Sequence, residues 1–187
     1  MSEKPAEVIG AEALRLCRVR PDESGDFQRL IGEGVDHIRP WMPWVSREPL
    51  TLDQRRAELE CWDAQWEAGT GWDYGIWFAQ ELVGKCGLYP RTPTEVALGY
   101  WIGARHLGRG HATAASGCLT DALFEVDGVA VATIRHDAAN IASRRVAEKL
   151  GFRKVGEEPH SIDAPGQTGC SWVWQVTRQD WRGDSVS

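Results

Sequence analysis

The sequence predicts a mixed α/β domain in which about four helices flank a central mixed sheet of six or seven strands. The length of 187 residues suits one continuous hydrophobic core. The composition, 42% hydrophobic and 26% charged, is that of a globular protein. Strand-like and helix-like segments also follow one another in mixed order along the chain. The sequence therefore predicts a single domain over 1–187, with flexible tails at 1–11 and 183–187.

The first half of the chain contains one predicted strand and two predicted helices. Apolar and charged residues alternate over 14–19, which is the period of a half-buried strand. A helix is predicted over 27–38, after a cluster of turn and cap residues and before a proline. A longer helix is predicted over 51–68, with Thr51 as its N-cap and Gly69 as its stop signal.

The second half alternates strands with helices. Segments 74–79 and 82–88 lie close enough along the chain to form a hairpin. Segment 96–102 is mostly apolar, which favours a central strand. The remaining predicted elements are a helix over 110–125, a strand over 129–135, a helix over 141–150, and strands over 152–156 and 172–177.

Charge and hydropathy exclude several classes of function. The net charge is −6, which argues against a broad surface for DNA or RNA. No apolar run approaches the roughly 18 residues needed to cross a bilayer. The first seven residues are polar and lack the apolar centre of a signal peptide. The sequence therefore predicts a cytoplasmic protein that binds neither nucleic acid nor membrane.

The cysteines predict no metal site and no disulfide framework. There are five, an odd number, and none forms a CxxC pair. The five histidines do not supply metal-ligand spacing around them. Free, mostly buried thiols in a reducing compartment are the expectation.

The most informative segment is 99–113, where a predicted strand ends, a glycine-rich turn follows and a helix of small residues begins. Such a turn presents unpaired backbone N–H groups at the positive end of a helix dipole, a geometry that binds phosphate. Gly108 and Gly110 would let the backbone approach an anion, and Arg109 would add a charge. A plain tight turn is the alternative. A dinucleotide fingerprint is excluded because Thr113 stands where its third glycine belongs.

A second segment, 140–152, follows about 30 residues later. Asp137 or Asn140 is a suitable cap for its helix, and Gly151 is a suitable end. Taken alone, the segment is equally well explained as an amphipathic helix that packs on the core. This simpler explanation does not predict that the segment follows the glycine turn in this order and at this distance.

Together the two segments resemble the acetyl-CoA-binding motifs of the GNAT N-acetyltransferase superfamily. The first is similar to its [QR]-x-x-G-x-[GA] loop, with Leu107 where the family usually has Gln or Arg, and the motif ends at Ala112. The second is similar to N-x-x-S…E-K-x-G-F, which is common in the RimJ/RimL-like branch that acetylates N-termini of ribosomal proteins. Segments 39–44 and 99–101 also resemble that branch. The resemblance spans roughly 13–181.

The resemblance implies a V-shaped split between two central parallel strands, here 96–102 and 129–135, which holds acetyl-CoA as co-substrate without a metal. It implies contacts to that molecule from the end of the first strand, from the glycine loop and from the start of the second helix. These residues are Trp101, Ile102, Gly103, Leu107, Gly108, Arg109, Gly110, His111, Ala112, Thr113, Asn140 and Ser143.

The resemblance also implies direct attack of an amine on the thioester, which requires an oxyanion donor and a proton for the leaving thiolate. A backbone N–H near Trp101 or Ile102 is the expected oxyanion donor. Many family members use a tyrosine as the acid, but Ala147 stands at that position here. Ser143 is therefore the expected acid. The alternative is that its hydroxyl only bonds to the backbone of its own helix. Glu95 is the expected base, with a solvated carboxylate as the alternative.

His136 and His160 are reserve candidates for the base, and an amine that loses its proton to water needs no dedicated base. Trp41, Trp44 and Trp101 are expected to form walls for the acceptor amine, with core packing as the alternative.

Three hypotheses follow. The first is an N-acetyltransferase that acts on a protein N-terminus or on a small-molecule amine, as a monomer or homodimer. The second is a GNAT-like module that binds acyl-CoA without catalysis. The third is an unrelated protein that binds a phosphate ligand.

Overall fold

An eight-stranded mixed sheet forms the centre of the structure, a computed structural model that describes residues 4–11 and 13–183. The strand order across the sheet is β1-β2-β3-β4-β5-β6-β8-β7. The strands are β1 (Val8–Ala11), β2 (Leu14–Arg18), β3 (Trp72–Phe78), β4 (Glu81–Pro90), β5 (Glu95–Ile102), β6 (Val131–Asp137), β7 (Arg153–Pro159) and β8 (Cys170–Thr177). The helices are α1 (Ser24–Gly32), α2 (Leu52–Ala68), α3 (His111–Glu125), α4 (Ile141–Lys149) and α5 (Arg178–Gly183).

The mixed α/β class predicted from the sequence is confirmed, with one strand and one helix more than expected. The predicted tail over 1–11 is corrected in part, because Val8–Ala11 forms an antiparallel pair with Leu14–Arg18. This strand is too short for its alternation to be recognised from sequence, and pairing at the sheet edge creates it. Residues 1–3 and 184–187, which include most of the predicted C-terminal tail, lie outside the described residues.

The helix predicted over 27–38 is shorter than expected. It ends at Gly32, and Val35–His37 forms a separate 3-10 turn. Gly34 lies in close contact with Ala104, since a Cβ at position 34 would lie 2.5 Å from the Ala104 Cβ. Two glycines in three positions also lower the helix propensity at this point.

The long helix predicted over 51–68 is confirmed, together with its caps. The Thr51 hydroxyl accepts a hydrogen bond from the Gln54 N–H at 3.2 Å, and the Gln54 side chain accepts one from the Thr51 N–H at 2.9 Å. This reciprocal pair is a capping box. Gly69, with φ +70°, ends the helix in the left-handed conformation.

The hairpin of β3 and β4 is also confirmed, but its turn lies one residue earlier than predicted. Phe78 pairs with Glu81, so Ala79 and Gln80 form a two-residue loop. Both have positive φ, +47° and +71°, which matches the twist of the two strands. Neither residue type favours this conformation, so the strand pairing imposes it.

The predicted split between two central parallel strands is confirmed. β5 and β6 pair in parallel from Glu95↔Val131 to Leu98↔Ile134. Beyond these pairs each strand continues with its outer neighbour alone, β5 with β4 and β6 with β8. The inner edges therefore diverge and leave a V-shaped opening at the carboxyl ends of both strands.

The apolar core has two parts. The larger part joins the sheet to α3, with Leu119 and Leu123 fully buried in it. The smaller part joins α1 and α2 to β5, through Phe27, Leu59 and Trp101. None of the helices within the described residues has the length and apolar character that a membrane span requires.

Arg55 on α2 is fully buried and holds three partners from separate parts of the chain. Its guanidinium forms ion pairs with Glu48 and Glu58, and its Nε donates to Gln28 at 3.3 Å. Each buried charge is stable there because its opposite charge lies beside it. Arg55 therefore ties α2 to α1 and to the segment that precedes α2.

We expect Arg55→Met to lower the free energy of unfolding by about 3–5 kcal/mol, because the two buried carboxylates lose their main partner. Arg56→Met is the matched control. Arg56 is the next residue on the same helix, and its 3.6 Å pair with Glu60 is largely exposed to solvent. Its loss should cost about 0–1 kcal/mol. Urea unfolding of both variants measures the difference, and equal destabilisation would contradict the structural role of Arg55.

Candidate active site

The opening between β5 and β6 contains a cavity of about 490 Å³. Its walls come from the ends of both strands, the starts of α3 and α4, and residues 37–42. Nine of the candidate site residues predicted from the sequence line it: Trp41, Trp101, Ile102, Leu107, Ala112, His136, Asn140, Ser143 and His160.

The backbone of β5 alternates between the cavity and β4. The Gly103 N–H donates to Val83 O at 2.8 Å, so Gly103, and by alternation Trp101, direct their polar groups toward β4. Ile102 is turned the other way, and its carbonyl accepts a hydrogen bond from His37 Nε2 at 2.7 Å. Of the two expected oxyanion donors, Ile102 is thus the one whose N–H faces the opening. Trp101 also lines the cavity.

The glycine loop adopts a left-handed conformation at two positions. Gly108 has φ +73° and Gly110 has φ +83°. A Cβ at either position would meet no atom within 4 Å, so the backbone conformation, and not a close contact, favours glycine there. The loop is exposed around both residues, and Arg109 between them is exposed as well.

The N-terminus of α3 directs free backbone donors out of the loop. The first intrahelical bond is made by the Ala114 N–H to Gly110 O at 3.0 Å. The N–H groups of His111, Ala112 and Thr113 precede that bond and have no intrahelical partner. Gly110, the N-cap, has no side chain with which to cap them. These donors, at the positive end of the helix dipole, form a site suited to an anion.

Two residues of the predicted loop contribute differently from the glycines. Leu107 lines the cavity with a side chain that is half exposed. The His111 side chain is buried against the Phe78 ring, with 4.7 Å between centroids, so only its backbone can serve an anion in the loop. Burial, together with His106 and Arg109, holds the pKa of His111 below its usual value.

Ser143 is held in the first turn of α4. Its N–H donates to the side-chain oxygen of Asn140, the helix N-cap, at 3.1 Å. Its hydroxyl lies 2.8 Å from the Tyr100 hydroxyl. Burial raises the pKa of Tyr100 to about 12, with the Ser143 hydrogen bond acting weakly the other way. Tyr100 therefore keeps its proton at neutral pH.

Sequence reasoning missed Tyr100 as a site residue. It appeared only inside the Gly99-Tyr100-Trp101 segment that carried the resemblance. Its partner Ser143 lies 43 residues away in the chain, so no spacing pattern could have connected the two hydroxyls. Only the convergence of β5 and α4 at the opening brings them together.

Glu95, the expected base, lies away from the opening. Glu95 begins β5 and accepts hydrogen bonds from Thr133 at 2.8 Å and from Gln175 at 3.5 Å. It lies where β5 and β6 are still paired, at the closed end of the split. Ile102 is seven residues further along the strand, which corresponds to about 23 Å. Glu95 is therefore a structural residue of the sheet, far from the opening.

Neither reserve histidine is free to take a proton from a substrate. His136 Nε2 accepts from the Trp174 indole at 2.9 Å, and its Nδ1–H donates to Asp137 O at 2.8 Å. Burial lowers the pKa of His136, although its bond to the Asp137 carbonyl opposes that shift. His160 has an acceptor beside each ring nitrogen, since Nδ1 lies 2.6 Å from Ser161 O and Nε2 lies 3.1 Å from the Asp137 carboxylate.

Asp137 was predicted as a possible helix cap, but it organises the far wall of the cavity. Its carboxylate accepts the N–H groups of Ala139 at 2.9 Å and Thr168 at 2.7 Å, and it also contacts His160. Burial acts to raise the pKa of Asp137, and these hydrogen bonds outweigh burial and lower it. The ionised side chain therefore joins the end of β6 to the segment before β8.

A second cavity of about 310 Å³ adjoins the first. Four residues line both cavities: Met42, Gly99, Tyr100 and Trp101. The predicted aromatic wall is divided between them, because Trp41 lines the first and Trp44 lines the second. The rings of Trp44 and Trp101 lie 5.8 Å apart between centroids.

A buried polar network that sequence reasoning also missed underlies the second cavity. Lys85 forms an ion pair with Asp73 and donates to the Tyr89 hydroxyl at 3.0 Å, while that hydroxyl donates to Asp73 at 2.5 Å. Burial acts to lower the pKa of Lys85, but Tyr89 and Asp73 outweigh it and raise that pKa. Lys85 thus stays charged, 4.3 Å from the centre of the Trp62 ring.

Comparison with known proteins finds acetyltransferases. A model of the acetyltransferase (GNAT) domain matches residues 14–153. The putative ribosomal N-acetyltransferase YdaF of Bacillus subtilis (strain 168) is 22% identical over 176 residues, 92% of this chain and 96% of that protein.

Two solved structures share the fold. The structure of RimL, a ribosomal L7/L12 alpha-N-protein acetyltransferase, in complex with coenzyme A has a TM-score of 0.84 at 16% identity, and the match covers 91% of this chain and 98% of RimL. The structure of the microcin C7 self-immunity acetyltransferase MccE, in complex with acetyl-CoA and AMP, has a TM-score of 0.82 at 15% identity and covers 89% and 93% of the two chains.

We expect an NMR titration to give His136 a pKa below the usual value of about 6.5, because burial disfavours the charged ring and Trp174 occupies the nitrogen that would accept the proton. Below about pH 6.5 the unfolded chain then binds more protons than the folded one, so the stability that His136 contributes falls as the pH falls.

Trp174→Phe removes the indole donor and should raise the His136 pKa toward the usual value. A His136 pKa at or above about 6.5 in the parent protein, or no change in the variant, would contradict the hydrogen-bonding pattern described for this ring.

Proposed function

The chain belongs to the GNAT family of acetyltransferases, and from this premise we propose that it transfers the acetyl group of acetyl-CoA directly to a primary amine. The acceptor is either the N-terminus of a protein or a small-molecule amine. Acetyl-CoA is a co-substrate, and the chemistry needs no metal. Among the described residues no group of three or more metal-ligating side chains occurs.

One observation carries the proposal: the N-terminus of α3 opens onto the same cavity as the diverging ends of β5 and β6. The free N–H groups of 111–113 and the left-handed glycines suit the diphosphate of coenzyme A. The unpaired edge of β5 suits its pantetheine arm, which carries amide groups that can pair as a strand does. The thioester then lies between Ile102 and Ser143.

The residues in the opening meet two of the three requirements of direct transfer. The Ile102 N–H faces the position where the tetrahedral oxyanion forms, and it serves as the hydrogen-bond donor. The Ser143 hydroxyl donates a proton to the leaving thiolate. The third requirement is that the amine be neutral. Glu95 does not take the proton of the amine in this proposal, because it lies at the closed end of the split.

The acceptor amine occupies the second cavity in this proposal. The cavity adjoins the first through Tyr100 and Trp101, so a molecule in it presents its amine next to the thioester. A volume of about 310 Å³ suits a small amine or the terminal residues of a peptide, not a long buried segment. YdaF and RimL are similar proteins named for ribosomal substrates, which supports the peptide. MccE, named for self-immunity to microcin C7, supports the small molecule.

The co-substrate site is tested by Gly110→Asp, which we expect to weaken coenzyme A binding at least about tenfold, because a carboxylate and a strained backbone replace a free anion site. Gly128→Asp is the matched control. Gly128 has the same φ of +83°, and a Cβ there likewise meets no atom within 4 Å, yet it lies outside the loop. Calorimetric titration with coenzyme A measures the affinity of both variants. If Gly110→Asp binds coenzyme A as tightly as the parent protein, the loop is not part of the site.

The reaction is tested by following free thiol release with acetyl-CoA and a panel of N-terminal peptides, antibiotics and polyamines. We expect turnover with at least one member, and a kcat lowered about 10²-fold in Ser143→Ala with coenzyme A affinity unchanged, because only the proton for the thiolate is lost. Ser116→Ala, a helix serine outside both cavities, should keep the parental rate. Tight binding without turnover across the panel would favour the non-catalytic module.

A further inference from the structure

Tyr100 occupies the boundary between the two cavities, because it is one of the four residues that line both. Its hydroxyl lies 2.8 Å from the Ser143 hydroxyl in the first cavity. When Ser143 gives its hydroxyl proton to the thiolate, another group must replace that proton. Tyr100 is the polar neighbour that can do so.

The acetyl transfer moves one proton as well as one acetyl group. The attacking nitrogen forms a bond to the carbonyl carbon and must lose a proton. The bond from carbon to sulfur breaks, its electron pair goes to sulfur, and the thiolate gains a proton. A path that carries one proton from the nitrogen to the sulfur therefore balances the reaction without an external acid or base.

The other titratable side chains around the two cavities already have partners. In the first cavity His37, His136, Asp137 and His160 each make hydrogen bonds within the described protein, and Arg135 pairs with Glu158. In the second, Arg47 and Arg55 hold Glu58, and Lys85 is bound to Tyr89 and Asp73. Among the described side chains, only the hydroxyl pair of Tyr100 and Ser143 combines a proton donor with a position between the cavities.

We propose that Tyr100 and Ser143 form a proton relay that carries the proton of the acceptor amine to the leaving sulfur. Ser143 gives its hydroxyl proton to the sulfur, Tyr100 gives its own to the Ser143 oxygen, and the Tyr100 oxygen takes the proton from the attacking nitrogen. Both side chains end as they began. A phenol is a better proton donor than an aliphatic alcohol, so the direction of transfer between the two is favourable.

The relay rests on the proposed acetyl transfer, and it takes the role expected of Glu95, which lies at the closed end of the split. Asn140 supports it by holding the Ser143 backbone at 3.1 Å, which aims the serine hydroxyl toward β5. Position 100 requires a hydroxyl in this scheme, since the ring alone cannot donate to Ser143.

The test uses an acceptor that the parent enzyme turns over, with the variants Tyr100→Phe, Ser143→Ala and their double. We expect each single variant to lower kcat about 10²-fold and the double to be little worse than either one, because both changes interrupt one path. Affinity for coenzyme A should stay within about twofold in all three. Tyr74→Phe is the control, since it removes a buried hydroxyl bonded to Ala6 O, away from both cavities.

A proton inventory in mixtures of light and heavy water separates the relay from a merely structural role. The parent should give a curved inventory, because more than one proton moves in the rate-limiting step, and Tyr100→Phe should give a linear one. Full activity of Tyr100→Phe, losses that multiply in the double variant, or an inventory unchanged by Tyr100→Phe would each overturn the relay and leave acetyl transfer standing. Absence of turnover by the parent itself would overturn both.

Discussion

The separation of β5 from β6 beyond Leu98 and Ile134 is the constraint on which the rest of the structure depends. Backbone N–H and C=O groups inside a protein need partners, so two central strands can part only if each keeps another neighbour. β4 and β8 provide those neighbours, and the sheet stays continuous on both sides of the opening. The inner edges are then free to bind something other than a strand.

The same separation brings two helix N-termini to one place. α3 follows β5 and α4 follows β6, so both helices begin at the carboxyl ends of the parallel strands, where ligands bind in open α/β sheets. One start leaves its N–H groups free because its cap is Gly110. The other is capped by Asn140, which fixes Ser143 instead of leaving an anion site. In the proposed reaction the two ends serve different parts of acetyl-CoA.

The walls of the second cavity are held by charges that neutralise one another. Two buried ion-pair groups lie there, Lys85 with Asp73 and Arg55 with its two carboxylates. Each charge would lower the stability of the fold if it were buried without its partner. Gly87 and Gly99 leave room for the Tyr89 ring, since a Cβ at Gly87 would lie 2.6 Å from its hydroxyl and one at Gly99 3.0 Å from the ring. This packing keeps Tyr89 and Lys85 in one position beneath the cavity.

Local signals in the sequence determined what is local in the structure. The caps of α2, the glycine loop with its helix and the order of strands and helices follow from residue types a few positions apart, and they agree with the structure. Only the tertiary structure decided that Glu95 lies at the closed end of the split, and that Tyr100 meets Ser143 across 43 residues of chain. The physical reason is that strand direction and sheet order set which ends converge, and neither is encoded in the spacing of the residues that meet.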